Sequence, residues 1–296
     1  MESGNGKRIG GGLGPRMSEL KAFDIGALIG GAGEAFVLGI GGGSDAIGAF
    51  AVASAIARAG GRARYGLCVS EKPAGYPGFE TIDENLYLRG GAGPDPALLE
   101  GIWSLKLLHD MSGRDEILGN PPLMAVTGLK SGDAAGNARF AEEAFSRLAA
   151  HMRGSRLITV DMGGDSATGG KDGDGGFDRA NLRALKASGV RFTHLVLGIG
   201  CDGETEPGDF SDALDRQEEA GALLGAFELG DIADSMRFAE EIVPLHRTPN
   251  IISKAKAELD AGLPADEPVE IPRHDRKRIP RGWLAGGLAF DGGKLV

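Results

Sequence analysis

The apolar positions of this chain follow two alternating rhythms. Ala35 to Ile40 (AFVLGI) is a short continuous apolar run, as a strand buried on both faces requires, and Gly41-Gly42-Gly43-Ser44-Asp45 turns it into the long apolar segment Ala46 to Ala59. Gly60-Gly61 ends that helix, and Arg62 to Val69 predicts a second strand, which completes one βαβ unit. Helical spacing returns from Pro96 to Met111 and from Asp133 to His151, with a strand expected at Pro122 to Thr127 between them. Arg156 to Asp161 and Phe192 to Ile199 predict two more strands, with a helix from Phe177 to Ser188 between them and another starting near Gly208 or Asp209. Ala220 to Glu228, a helix from Asp231 to Glu241 and a helix near Ile251 to Ala261 continue the alternation. A short helix from Pro15 to Leu28 and a last edge strand within Trp283 to Phe290 frame the whole. Strands alternating with helices imply an α/β fold: a mostly parallel sheet, right-handed crossovers and helices on both faces.

Segments that break the rhythm set the organisation. Residues 1–16 (MESGNGKRIGGGLGPR) lack the apolar segment of a signal peptide and read as a mobile arm, leaving 17–296 as a single domain. Ser70 to Pro96 is rich in Gly and Pro without periodicity, so an irregular excursion is expected at 70–96. The basic run Arg273 to Arg281 reads as a solvated C-terminal tail.

Composition sharpens this picture in three places. Glycine supplies 51 of 296 residues, about 17% against a usual share of roughly 7%, which points to many tight backbone turns. The net charge of −10 disfavours nucleic-acid or anionic-lipid surfaces, whose binding needs Lys and Arg to neutralise phosphate. The two cysteines, Cys68 and Cys201, sit in or beside apolar strands, so neither a disulfide framework nor a thiolate zinc site is expected and the chain reads as cytoplasmic. The most hydrophobic run, Ala46 to Ala57, falls short of the 18 or more residues of a membrane span.

Candidate chemistry lies where the strands end. VLGIGGGSD, LITVDMGGD and LVLGIGCDGE each put an apolar strand directly before glycines and a carboxylate. Ligands of open α/β sheets bind outside the carboxyl ends of the strands, so Asp45, Asp161, Asp165, Asp202 and Glu204 are expected to converge on one crevice. Clustered carboxylates repel, and without a basic partner in these motifs a divalent cation is the natural compensator; all-oxygen ligands favour Mg²⁺, Mn²⁺ or Ca²⁺ over zinc. The competing reading makes each Asp a cap of the helix that follows. Gly41, Gly42 and Gly43 form a candidate phosphate cradle, and Gly41-x-Gly43-x-x-Ala46 fits a loose dinucleotide fingerprint with Glu71 as its ribose acid, so NAD or ATP is the alternative ligand. His246, in the loop His246-Arg247-Thr248, is the candidate general acid or phosphate contact beside Asp165, whereas His194 reads as a core histidine. The loop from Ser166 to Gly176, with Lys171-Asp172-Gly173-Asp174, reads as solvated and lid-like.

The same three blocks, VLGIGGGSDAIGAFAVASAIARAGG, VDMGGD and LGIGCDGE, in this order, resemble the uncharacterised family known as domain of unknown function 1152, over about Phe36 to Leu259. The resemblance implies a Rossmann-like fold and supports Asp45, Glu71, Asp161, Asp165, Asp202 and Glu204 as positions of interest, but it carries no activity. Glu71-Lys72-Pro73 and Tyr76-Pro77-Gly78 match the family's acidic and Pro-Gly segments only loosely. More distantly, the pattern is similar in kind to proteins whose acidic cavity holds Mn²⁺, associated with phosphatase or D-glutamate cyclase chemistry. The expectation is a Mg²⁺- or Mn²⁺-dependent, phosphatase-like hydrolase of a small phosphorylated, anionic compound. The alternatives are a nucleotide- or dinucleotide-binding module without metal, and a metal-dependent lyase or cyclase acting on an acidic amino acid, for which Arg247 or Lys171 would hold a carboxylate. A homo-oligomer is the expectation for an α/β protein of this size.

Overall fold

The computed structural model describes residues 17, 19–30, 33–41, 43–70, 78–89, 107, 110, 111, 118, 122–128, 134–152, 154–168, 176–204, 207–272 and 276–296. In chain order the elements are α1 (Ile25–Ile29), β1 (Glu34–Gly39), α2 (Ser44–Arg58), β2 (Arg62–Val69), β3 (Phe79–Asp83), β4 (Leu86–Arg89), β5 (Leu123–Val126), α3 (Ala134–His151) and β6 (Arg156–Met162). They continue with α4 (Asp165–Thr168), α5 (Gly176–Ala187), β7 (Phe192–Leu197), α6 (Pro207–Glu219), β8 (Leu223–Glu228), α7 (Asp231–Asp234) and α8 (Ala239–Ile242). The last are α9 (Thr248–Asp260), β9 (Pro268–Glu270), β10 (Arg278–Pro280), α10 (Arg281–Leu284) and β11 (Gly286–Asp291).

Strand β1 shows how one apolar run serves two layers. Side chains alternate across a strand, so Ala35 and Val37 enter one core while Phe36 and Leu38 enter the other. Helix α2 packs on the first face through Ile47 and Phe50 together with α9, and α3 and α5 pack on the second through Phe145, Leu182 and Leu185. Each fully buried Leu or Phe here contributes roughly 1.5–3 kcal/mol of transfer free energy, which a one-residue slip of register would forfeit.

Among the described residues, nine strands make one mixed sheet in the order β3-β4-β5-β2-β1-β6-β7-β11-β8. Its centre is parallel: β1 pairs with β2 and β6, β6 with β7 and β2 with β5. The chain winds from β1 through α2 to β2 on one side, and from β6 through α5 to β7 on the other. The junction of β1 and β6 is therefore the switch point of a doubly wound, Rossmann-like sheet, where the carboxyl ends of the strands open a crevice. Among the described residues no helix is long and apolar enough to cross a membrane.

Several expectations change. The 70–96 segment is not wholly irregular, because β3 and β4 form an antiparallel hairpin on the edge of the sheet against β5. Arg147 of α3 holds its turn through Asp83 at 2.6 Å and Glu84 at 3.0 Å. The C-terminal strand is not an edge strand: β11 lies between β7 and β8 and pairs antiparallel with both. Of the described residues in the basic segment before it, Arg276 and Arg278 are exposed, but two others are not solvated. Arg281 is buried and bound by Glu258 and Glu267, and Lys277 is buried and donates to the Glu204 carbonyl at 3.0 Å. The helix expected from Pro15 to Leu28 is interrupted: Met17 and Glu19 are helical, Ala22 bridges to Ala226, and α1 covers Ile25–Ile29. The helix expected from Asp231 to Glu241 is split into α7 and α8. Residues 1–16 and most of Pro96 to Met111 lie outside the described residues.

Candidate functional site

Strands β1, β6 and β7 are neighbours and parallel, so the three glycine-acid motifs leave the sheet side by side. Asp45, in the first turn of α2, folds back over the end of β1: its Oδ2 accepts from the Gly41 amide at 2.8 Å and its Oδ1 from the Met162 amide at 3.0 Å. Asp161, near the end of β6, accepts from the backbone amide of Ser166 at 3.2 Å and from the Ser166 hydroxyl, both at Oδ2. Asp165 opens α4, and Asp202 and Glu204 follow β7. Asp45, Asp165, Asp202 and Glu204, together with Gly43, Ser44, Met162, Arg247 and Thr248, line a pocket of about 150 Å³, while Asp161 is fully buried close to Asp45.

A sixth carboxylate completes the wall, one that the motifs did not single out. Asp178 reaches in from the first turn of α5, on the other face of the sheet from α2. Oxygens of Asp45, Asp161 and Asp178 all lie within 4.8 Å of one another. Six oxygens around Mg²⁺ at about 2.1 Å place opposite ligands about 4.2 Å apart, and Ca²⁺ at about 2.4 Å places them about 4.8 Å apart, so the spacing fits one such cation. The backbone is shaped for this crowding. A Cβ on Gly41 would stand 2.3 Å from Asp178 Oδ2, and one on Gly163 would stand 2.3 Å from Asp202 Oδ2 at a backbone φ of +130°. Only glycine lets the carboxylates approach so closely.

The electrostatics follow from the packing. Burial, then the charges of Asp178 and Asp161, push the Asp45 carboxyl well above the usual carboxylate range. Burial, then Asp161, Glu204 and Asp202, do the same to Asp178. Asp165 is pushed up to about 11 by burial and then by Asp161, Asp178, Asp202 and Asp45. Asp161 is raised by burial, with Ser166 chief among the groups that pull it back. The Gly164 amide and the Asp165 side chain also act on it. Its Oδ1 is nevertheless buried without a partner of hydrogen-bond geometry among the described residues. So many carboxylates in one small crevice cannot all ionise without protons or a cation among them.

Behind Asp161 lies a buried polar chain. His194 of β7 stands in register with Thr159 of β6, its Nδ1 lies 2.9 Å from Thr159 Oγ1, and its Nε2 lies 3.1 Å from Ser166 Oγ. The core reading of His194 holds, since it is fully buried and burial pushes it down to about 3.

The expected site is thus partly redrawn. Asp45, Asp161, Asp165, Asp202 and Glu204 come together, and Asp178 joins them. His246 does not: it is exposed and lines a separate groove with Leu245 and Lys254, whereas Arg247 and Thr248 turn into the acidic pocket. Of the expected phosphate cradle, the Gly41 amide is taken by Asp45 Oδ2 with Asp178 packed against Gly41, and Gly43 lines the pocket. Gly42, Glu71, Lys171, Asp172 and Asp174 lie outside the described residues. Cys68 and Cys201 are buried thiols in no disulfide, and burial pushes the Cys68 thiol up, away from nucleophilic use.

The fold and the crevice define an α/β protein of Rossmann-like topology with an acidic pocket at the switch point. Comparison of the chain with protein-family models, with curated proteins and with solved structures finds no match in any of the three.

Proposed function

We propose that the pocket binds one Mg²⁺ or Mn²⁺ ion through Asp45, Asp161 and Asp178 and hydrolyses a small phosphorylated compound. The observation that carries this reading is the approach of three carboxylates within 4.8 Å while Asp161 Oδ1 is buried without a hydrogen-bond partner among the described residues. A cation held there supplies Lewis acidity toward a phosphoryl oxygen and lowers the pKa of bound water. Asp165, which favours its protonated form, is the general acid of this reading, and Arg247 at the rim supplies positive charge for an anionic substrate oxygen. The chemistry of a metal-dependent lyase or cyclase draws on the same residues, with Arg247 holding a substrate carboxylate. Metal-free binding of NAD or ATP has less support, because the Gly41 amide is already engaged. Membership of the domain of unknown function 1152 family remains a proposal on the three sequence blocks.

Thermal unfolding of EDTA-stripped protein with added Mg²⁺, Mn²⁺, Ca²⁺ or Zn²⁺ tests the assignment. A native-state ligand at 100 times its Kd stabilises by about 2.7 kcal/mol. Mn²⁺ or Mg²⁺ is expected to raise the midpoint of the parent and leave that of Asp178→Asn unmoved. Without metal, Asp178→Asn is expected to match or exceed the parent, since a repulsive charge is gone. An equal response of parent and variant to every cation removes the metal reading.

A further inference from the structure

The chain Thr159, His194, Ser166, Asp161 has two ends of different character, and that fixes its direction. An Asp161 that holds a cation carries no proton, so Oδ2 accepts from the Ser166 hydroxyl. With its only proton spent, the Ser166 oxygen must accept from its other neighbour, and the atom 3.1 Å away is His194 Nε2. A neutral imidazole with its proton on Nε2 presents Nδ1 as an acceptor, which Thr159 Oγ1 satisfies at 2.9 Å. Both ring nitrogens of His194 and the Thr159 and Ser166 hydroxyls are then engaged, in a region where an unmade hydrogen bond is expensive. All four side chains are buried.

We propose that His194 is a positioning residue, its Nδ1 capped by the Thr159 hydroxyl and its Nε2–H directed at Ser166, that locks the Ser166 hydroxyl onto Asp161 Oδ2 and so leaves Oδ1 as the oxygen presented to the cation. This rests on the metal reading above for its purpose and for the ionised state of Asp161, though not for the contacts themselves. The two donors on Oδ2 fix the rotation of the carboxyl group, and the unpartnered Oδ1 is what that rotation leaves over. The arrangement is that of an outer partner orienting a metal ligand, with a hydroxyl interposed between imidazole and carboxylate. Run backwards, the chain would start from a protonated Asp161 and end with Nδ1–H donating to Thr159, which is a different tautomer and a poorer ligand.

The experiment reads the tautomer and the affinity separately. In ¹⁵N-histidine spectra of the full chain with saturating Mg²⁺, the His194 signal, assigned by its loss in His194→Gln, is expected to show Nε2 protonated and Nδ1 bare. The Nδ1–H tautomer overturns the proposal. Mn²⁺ affinity, from the electron-spin signal of free Mn²⁺, is expected to fall about 10–100-fold in His194→Asn and Ser166→Ala, the range usual for loss of such outer partners. His194→Gln, whose terminal amide can still donate from the ε position, is expected to stay within about threefold of the parent. Metal-free thermal midpoints of the three variants show which are folded, and Ser166→Ala serves if His194→Asn is not. Parent-like affinity in Ser166→Ala overturns the proposal, as does equal weakening of the Gln and Asn variants. A parent that binds no Mn²⁺ at all overturns the metal reading and the purpose of the chain with it, while the tautomer still reports which way the chain runs.

Discussion

Gly163 and Gly41 both admit a carboxylate against the backbone, but only Gly163 also needs a positive φ, so the two separate crowding from strain. Gly163→Ala is expected to destabilise the protein by about 1–3 kcal/mol or more, since the new Cβ meets Asp202 and the backbone conformation disfavours any side chain. Urea unfolding of the metal-free protein measures this, and an unchanged midpoint contradicts the geometry. Gly41→Ala, free of the backbone penalty, is expected to act chiefly by displacing Asp178 and weakening Mn²⁺ binding. At this scale the sequence was readable where an acid followed an apolar strand, as at Asp45, Asp161 and Asp202. It was silent for Asp178, because an acid in the first turn of a helix is what the helix dipole favours anyway. It misled by one residue at His246, because a loop's direction of turn, which sends Arg247 inward and His246 outward, is set by packing and not by residue type.

The raised carboxyls make the metal-free protein sensitive to pH with a definite sign. An acid whose folded pKa is raised contributes stability that is full below its unfolded value, near 4, and is lost as pH rises toward the folded value, about 11 for Asp165. His194, pushed down to about 3, acts oppositely: its contribution is full above about 6.5 and is lost as pH falls. Above pH 7 His194 is neutral in both states, so thermal midpoints in EDTA are expected to fall steadily from pH 7 to 9. A midpoint that rises over this interval means that the carboxyls are not crowded as described.

Among the elements, β11 was the hardest to foresee. Its sequence, GGLAFD, is short and half glycine and alanine, and nothing local says that it slips between β7 and β8 after the chain has already built both. Position in a sheet is a non-local property, decided by which edges remain open when the last strand arrives. Leu288→Ala, at a fully buried side chain of this strand, is therefore expected to cost about 2–5 kcal/mol, whereas a strand lying loosely on an edge would lose far less. Denaturant midpoints at unchanged m-value decide between them. The strands β1, β2, β6 and β7, by contrast, were legible almost residue by residue, because burial on both faces demands an uninterrupted apolar run. The hairpin β3–β4 was not, since β3 is largely exposed and β4 is only four residues long, so the pair carries little periodic signal.

For the whole molecule, the net charge of −10 is unevenly used, with six acidic side chains gathered at one crevice. Saturating Mn²⁺ is expected to flatten the fall of stability between pH 7 and 9, because a bound cation takes over the compensation that protons supply in its absence. Curves with and without metal that stay parallel across that range speak against a cation in this pocket.

Asp45 belongs to a helix on one face of the sheet and Asp178 to a helix on the other, while Asp161 belongs to the sheet itself. An ion shared by the three would act as a rivet through the layers, making the breathing of one face depend on the other. Amide hydrogen exchange in α2 and α5, otherwise free to open independently, would then slow together on a single titration curve.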